Sequence, residues 1–140
     1  MEHTAPETLG SERVFVGRLL RVGALAALLS AGANAIVLAM ATSFLGVVFI
    51  PPDEAVTLGQ VVGASVIGSI GAAIVFAVIY CFTRHQVRVF WGVAAVGLLL
   101  SFVPIALAGA TGSSAGTLAF MHAVAAVTDV GLLTRLGRKE

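Results

Sequence analysis

Four long apolar runs make up most of the chain: Val22 to Ile50, Thr57 to Phe82, Val89 to Gly109 and Ala115 to Thr134. A helix crosses a hydrocarbon core of roughly 30 Å with about 20 apolar residues, and each run suffices. The interruptions, "PPDEAV", "TRHQVR" and "TGSSAG", are short and rich in Pro, charge, or Gly and Ser, as turns require. They leave no room for a domain outside the membrane. Successive spans joined this tightly run antiparallel, so the pattern predicts an all-α transmembrane four-helix bundle, up-down-up-down, with spans one and four side by side. The bundle occupies residues 13–140, after a polar, disordered head over 1–12.

The first run raises two further questions. The segment "RLLRVGALAALLSAGANA" has the basic start, apolar stretch and Ala-x-Ala of a signal peptide. Its apolar character continues through "IVLAMATSFLGVVFI", so an uncleaved span is expected. At ~1.5 Å per residue the run from Val22 to Ile50 would be about 43 Å long, which calls for tilt, a bend near Gly46 or protrusion, with Pro51 and Pro52 as the stop. Ahead of it, "RVFVGRLLR" reads either as an interfacial helix or as an extension of span one.

Composition makes the membrane reading firm. Of 140 residues, 59% are hydrophobic and 11% charged, and the mean hydropathy is +1.04. So few charges, held at the segment ends, cannot coat a soluble core of this size. Arg13, Arg18 and Arg21 precede span one, Arg84 and Arg88 lie between spans two and three, and Arg135, Arg138 and Lys139 follow span four. All eight basic residues fall on one side, which predicts cytoplasmic N- and C-termini. Tyr80, Phe82, Phe90 and Trp91 bracket the same side as an aromatic belt. The net charge of +1 and the lack of a basic stripe with interleaved aromatics exclude a nucleic-acid binder. The expected partners are the bilayer and a second copy or another membrane protein.

Spans solvated by lipid associate through close packing of small residues and through polar contacts. Span two carries Gly59 and Gly63 in a GxxxG, Ala64, Gly68 and Ala72 at four-residue spacing, and the pair Ser65 and Ser69. Gly63 and Gly68 are expected to face neighbouring helices of the same chain.

Ionisable or strongly polar groups inside spans are the default candidates for function. There are four: Asn34, Gln60, His122 and Asp129. His122 and Asp129 share a face of span four but stand roughly 10 Å apart along the axis, too far to bond directly. Asp129 lies within reach of an arginine from the termini or the "TRHQVR" turn, which would tie span four to that end. Asn34 and His122 are level, each thirteen residues from the basic end of its span, and are expected to share a hydrogen bond between adjacent helices. A polar pathway near Asn34, Gln60 and His122 is the alternative.

Other chemistry finds little support. A haem would need paired axial histidines, and His122 is the one histidine within a span. Cys81 excludes an internal disulfide, and no Cys, His and carboxylate grouping has metal-site spacing. Nothing matches a nucleophilic triad, a zincin helix or a phosphate loop. The expectation is a protein without catalytic residues or cofactor.

"RLLR" leading into an alanine-rich span with an Asn, then "VTLGQVV", a "TR" turn, "SFVPIA" and "MHAVAAV" together resemble a family of small bacterial four-span proteins, most familiar from actinobacteria and known as a domain of unknown function. The resemblance runs from about Arg18 to Arg135. It implies a bacterial plasma-membrane location and supplies no activity or site residue. The leading expectation is a non-enzymatic structural or accessory membrane subunit; the alternative is a small transporter or channel.

Overall fold

The structure is a computed structural model that describes residues 6–46, 49–50, 54–110 and 112–137. It contains four long helices: α1 (Pro6–Leu45), α2 (Leu58–Phe82), α3 (Gln86–Leu107) and α4 (Gly112–Leu136). Each includes a stretch long and apolar enough to cross a membrane, Val14–Phe44 in α1 and the whole of the other three. A two-residue antiparallel ladder, β1 (Phe49–Ile50) with β2 (Glu54–Ala55), ornaments the connection between α1 and α2.

α1 starts and stops earlier than expected for span one. It is continuous from Pro6, so "RVFVGRLLR" extends the span rather than forming a separate interfacial helix. Residues 6–12 of the polar head are likewise helical, while residues 1–5 lie outside the described residues. The helix ends at Leu45 because Gly46 adopts a left-handed backbone, with φ of 82°, the conformation that closes helix C-termini and that a side chain disfavours. Glycine chemistry thus stops this helix five residues before Pro51; both prolines lie outside the described residues. The described candidate span of 31 residues is still about 46 Å long, well beyond a hydrocarbon core.

The remaining helices fall close to the expected runs, with local chemistry fixing their ends. Thr57 caps α2 in a reciprocal box: its hydroxyl accepts from the Gln60 amide N–H at 3.3 Å, and Gln60 Oε1 accepts from the Thr57 N–H at 2.8 Å. Thr83 closes α2, and α3 resumes at Gln86 after a tight turn. Pro104 sits in the last turns of α3, which ends at Leu107, and Gly109 follows with φ of 71°.

α1 packs on α2 and α4, and α3 packs on α2 and α4 from the opposite corner, as an up-down-up-down bundle requires. α2 and α4 also touch across the diagonal. The start of α1, the end of α4 and the α2–α3 turn therefore share one end of the bundle, here the terminal end; the ladder and the α3–α4 turn share the other, the hairpin end.

Three layers fill the interior. At the terminal end Val22, Phe76, Phe90, Val130 and Leu133 form an apolar cluster, in which the Phe76 and Phe90 rings meet edge to face at 5.0 Å. At the hairpin end Leu38, Ala41, Val61 and Met121 form a second one. Between them lie the buried polar residues Ser30, Asn34, Ser65, Ser69 and Asp129. Phe90 is consequently a core residue and leaves the expected aromatic belt. Trp91 and Phe82 remain on the surface, and Tyr80 stacks on Phe15 at 4.2 Å. Outward, Phe44, Ile67, Leu99 and Leu107 are largely exposed, which is stable only where the surrounding solvent is itself apolar.

The glycine expectation for α2 is overturned. A Cβ on Gly59, Gly63 or Gly68 would meet nothing within 4 Å, whereas one on Gly23 of α1 would lie 3.2 Å from Ala73 Cβ. The tight α1–α2 seam is built from Gly23, Ala26 and Ser30 against Ser65, Ser69 and Ala73. GxxxG spacing marks one face of a helix, and here that face is not the one turned toward α1.

Candidate functional site

The middle layer begins with Asp129. On α4 it stands opposite two serines of the α1–α2 seam, and both hydroxyls donate to its Oδ1, Ser30 at 2.8 Å and Ser69 at 2.8 Å. Ser30 and Ser69 are fully buried, and Asp129 nearly so. One carboxyl oxygen thus has both lone pairs engaged and joins three helices at a single point. No ion pair to Asp129 is found among the described residues, so the expected arginine tie to the terminal end is replaced by a tie to α1 and α2. The reason is geometric: small residues on the facing helices bring hydroxyls within reach, while the arginines stay at the helix ends.

One turn further toward the hairpin end, Asn34 of α1 donates through Nδ2 to Ser65 Oγ of α2 at 3.0 Å. Its other amide atom is the one buried side-chain polar atom left unpaired among the described residues. Asn34 is 5% exposed, yet Oδ1 is buried without a hydrogen-bond partner. An acceptor left this way costs about 1–3 kcal/mol.

His122 does not bond to Asn34. Its Nδ1 lies 2.8 Å from the carbonyl oxygen of Leu118 on its own helix. A carbonyl can only accept, so Nδ1–H donates, and in the uncharged ring Nε2 is left as an acceptor. Sequence reasoning placed the two residues at one level but did not foresee that the ring would satisfy itself within α4, as Thr128, Thr134 and Thr42 also do through backbone carbonyls one turn earlier. His122 and Asp129 likewise make no direct contact, as their spacing requires.

Asn34, Gln60 and His122 nevertheless meet at one place. They line a cavity of about 370 Å³ between α2 and α4, floored by α1 and walled by Val61, Ala64, Leu118 and Met121. Gln60 and His122 are exposed at its rim. Gln60 Oε1 is engaged in the helix cap, so its role at the rim is partly structural. Gly68 also borders the cavity, which explains why a Cβ there would meet only open space. Asp129 does not line it. The four polar candidates therefore divide, with Asp129 belonging to a closed junction and the other three to a cavity.

The residues that sequence reasoning undervalued are Ser30, Ser65 and Ser69. The signal was present as spacing: Ala26, Ser30 and Asn34 follow one another at four residues on α1, as do Ser65 and Ser69 on α2, so each set occupies one helix face. No group of three or more His, Cys, Asp or Glu suited to a metal is present among the described residues. Cys81 is exposed near the α2–α3 turn.

These features define a class, a four-helix protein whose spans are long and apolar enough for a membrane and whose interior carries a polar layer. The chain belongs to the family of unknown function DUF6069, whose profile it matches over residues 15–139. No curated protein and no solved structure matches it.

Proposed function

We propose that this chain is a non-enzymatic protein of the bacterial plasma membrane, with both termini in the cytoplasm, acting as a structural or accessory subunit beside a second copy or another membrane protein. The observation that supports this most is the Ser30–Asp129–Ser69 junction. The one acidic side chain within the spans joins three helices through Oδ1, which accepts from both serine hydroxyls. α3 adds a face for association, since Leu99, Leu100 and Leu107 point away from the bundle. Mild cross-linking in native membranes followed by purification tests the reading. A stoichiometric partner or a homo-oligomer is expected. A monomer that co-purifies with nothing and moves a solute after reconstitution overturns it.

A second reading, a small transporter or channel, is favoured by one observation: Asn34, Gln60 and His122 line the same cavity. Against it stands the route beyond. Between that cavity and the terminal end lie the buried serine–aspartate junction and then Phe76, Phe90 and Leu133, these three at most 2% exposed. A pathway would have to open the best-packed part of the bundle. Solute or ion flux across liposomes, abolished by Asn34→Leu, would establish this reading over the first.

A further inference from the structure

The contacts between helices bring three arginines to nearly one depth. The bonds that join Ser30, Ser69 and Asp129 fix a common level for α1, α2 and α4 near the middle of the spans. Along α1, Arg21 lies nine residues from Ser30 toward the terminal end, which is roughly 14 Å. Along α4, Arg135 lies six residues beyond Asp129, roughly 9 Å. α3 joins this scale through Phe90, whose ring meets Phe76 at 5.0 Å. Phe76 is about 10 Å beyond Ser69 and Arg88 about 3 Å beyond Phe90, so Arg88 also stands roughly 14 Å from the junction. Three helices thus each carry one arginine to a level about 9–14 Å from the middle, close to where a hydrocarbon core of about 15 Å to a side gives way to headgroups. α4 packs on both α1 and α3, so Arg135 stands on the helix between those that carry the other two.

These side chains have no partner within the bundle. Arg21, Arg88 and Arg135 are exposed, and no hydrogen bond or ion pair engages their guanidinium groups among the described residues. Asp129 is the one acidic side chain described, and it is buried in the middle layer. Cations at the edge of the hydrocarbon are costly unless they are paired or led out to the polar region, and the long arginine stem reaches that region while its carbons stay in the apolar part. Trp91, 50% exposed and one turn from Arg88, stands at the same edge, where an amphipathic ring is at home. What a guanidinium meets there is the phosphate of a lipid, whose oxygens match its planar fork. A zwitterionic headgroup brings an ammonium along with its phosphate, whereas an anionic one supplies charge that three unpaired arginines complement.

We propose that Arg21, Arg88 and Arg135 form a belt that binds the headgroup phosphates of anionic phospholipids in preference to zwitterionic ones. The belt requires only that the helices cross a bilayer. It holds whichever way the chain is oriented and whatever subunit it joins.

The test uses the full-length protein in nanodiscs of equal phosphatidylglycerol and phosphatidylcholine, with the lipids that stay bound counted by native mass spectrometry. A basic residue near an anionic surface contributes about fivefold, so the unmodified protein is expected to retain phosphatidylglycerol over phosphatidylcholine by about tenfold or more. The triple variant Arg21→Gln, Arg88→Gln, Arg135→Gln should bring the ratio close to parity. A variant of equal charge, Arg84→Gln, Arg138→Gln, Lys139→Gln, neutralises basic residues that follow α2 and α4 in sequence and should keep the preference. Equal retention of the two lipids by the unmodified protein overturns the proposal. So does an equal loss in both triple variants, which would make the preference a diffuse property of net charge. Trp91, the one tryptophan of the chain, supplies a measurement that needs no variant. In phosphatidylcholine liposomes, dibrominated phosphatidylglycerol should quench its fluorescence more than dibrominated phosphatidylcholine at the same mole fraction, and equal quenching overturns the belt at Arg88.

Discussion

Asp129 accepts from Ser30 and Ser69 on the same oxygen, so the two hydroxyls share one anchor. Hydrogen bonds between membrane helices contribute about 0.6 kcal/mol on average and up to roughly 1.7, because the unfolded chain in a membrane also finds partners. Ser30→Ala and Ser69→Ala should each lower the unfolding free energy in bicelles by an amount in that range. Asp129→Asn retains an acceptor oxygen and should cost less than Asp129→Leu, which leaves two buried hydroxyls without their partner. If Asp129→Leu is as stable as the unmodified protein, the junction does not hold the helices. Among these residues the sequence singled out the aspartate, as a lone charge in an apolar run must be, yet not its partners. Serine occurs in spans for several reasons, and its own-helix carbonyls compete for its hydroxyl, as Ser101 shows by donating to Leu98 O at 2.6 Å. Which serines look across the interface depends on helix rotation, and rotation is a property of the packed bundle.

At the scale of elements, the seam between α1 and α2 is where backbones come closest. Gly23 lies against Ala73, with room for a Cβ only if the neighbour yields, while Gly63 faces open space. Gly23→Leu should therefore lower the thermal stability of the detergent-solubilised protein markedly, and Gly63→Leu should leave it nearly unchanged. The opposite ranking would restore the GxxxG of α2 as the packing face. Thr57→Ala removes the cap that starts α2 and should cost about 1 kcal/mol, measured by the same unfolding assay. The existence and approximate ends of the helices were legible, since run length against bilayer thickness leaves few choices. The end of α1 was misjudged because a proline pair is a conspicuous stop, while Gly46 becomes one only by taking up a positive φ.

For the whole molecule, the alternating direction of four helices puts the start of α1, the end of α4 and the α2–α3 turn together, so Arg18, Arg21, Arg84, Arg88 and Arg135 crowd one end. Retention of basic residues on the cytoplasmic side then predicts that a thiol introduced by Ser113→Cys, in a Cys81→Ser background, is labelled by an impermeant maleimide from outside intact cells. Cys81 itself should react only after the membrane is opened. Labelling of Cys81 from outside, with Ser113→Cys protected, would invert the orientation.

The sequence by itself determined that the chain is a membrane protein, that it has four spans, and that neighbours alternate in direction, because hydropathy, span length and short loops are properties of the chain read against a slab of fixed thickness. It also narrowed the polar candidates to Asn34, Gln60, His122 and Asp129. Only the tertiary structure decided how they divide. In span four, His122 and Asp129 share a face yet end in different surroundings, one at an open cavity and one in a closed junction. That separation is set by where the facing helices carry hydroxyls and where they leave space. Both depend on the rotation of each helix about its own axis, a quantity that apolar runs, alike on every side, do not specify.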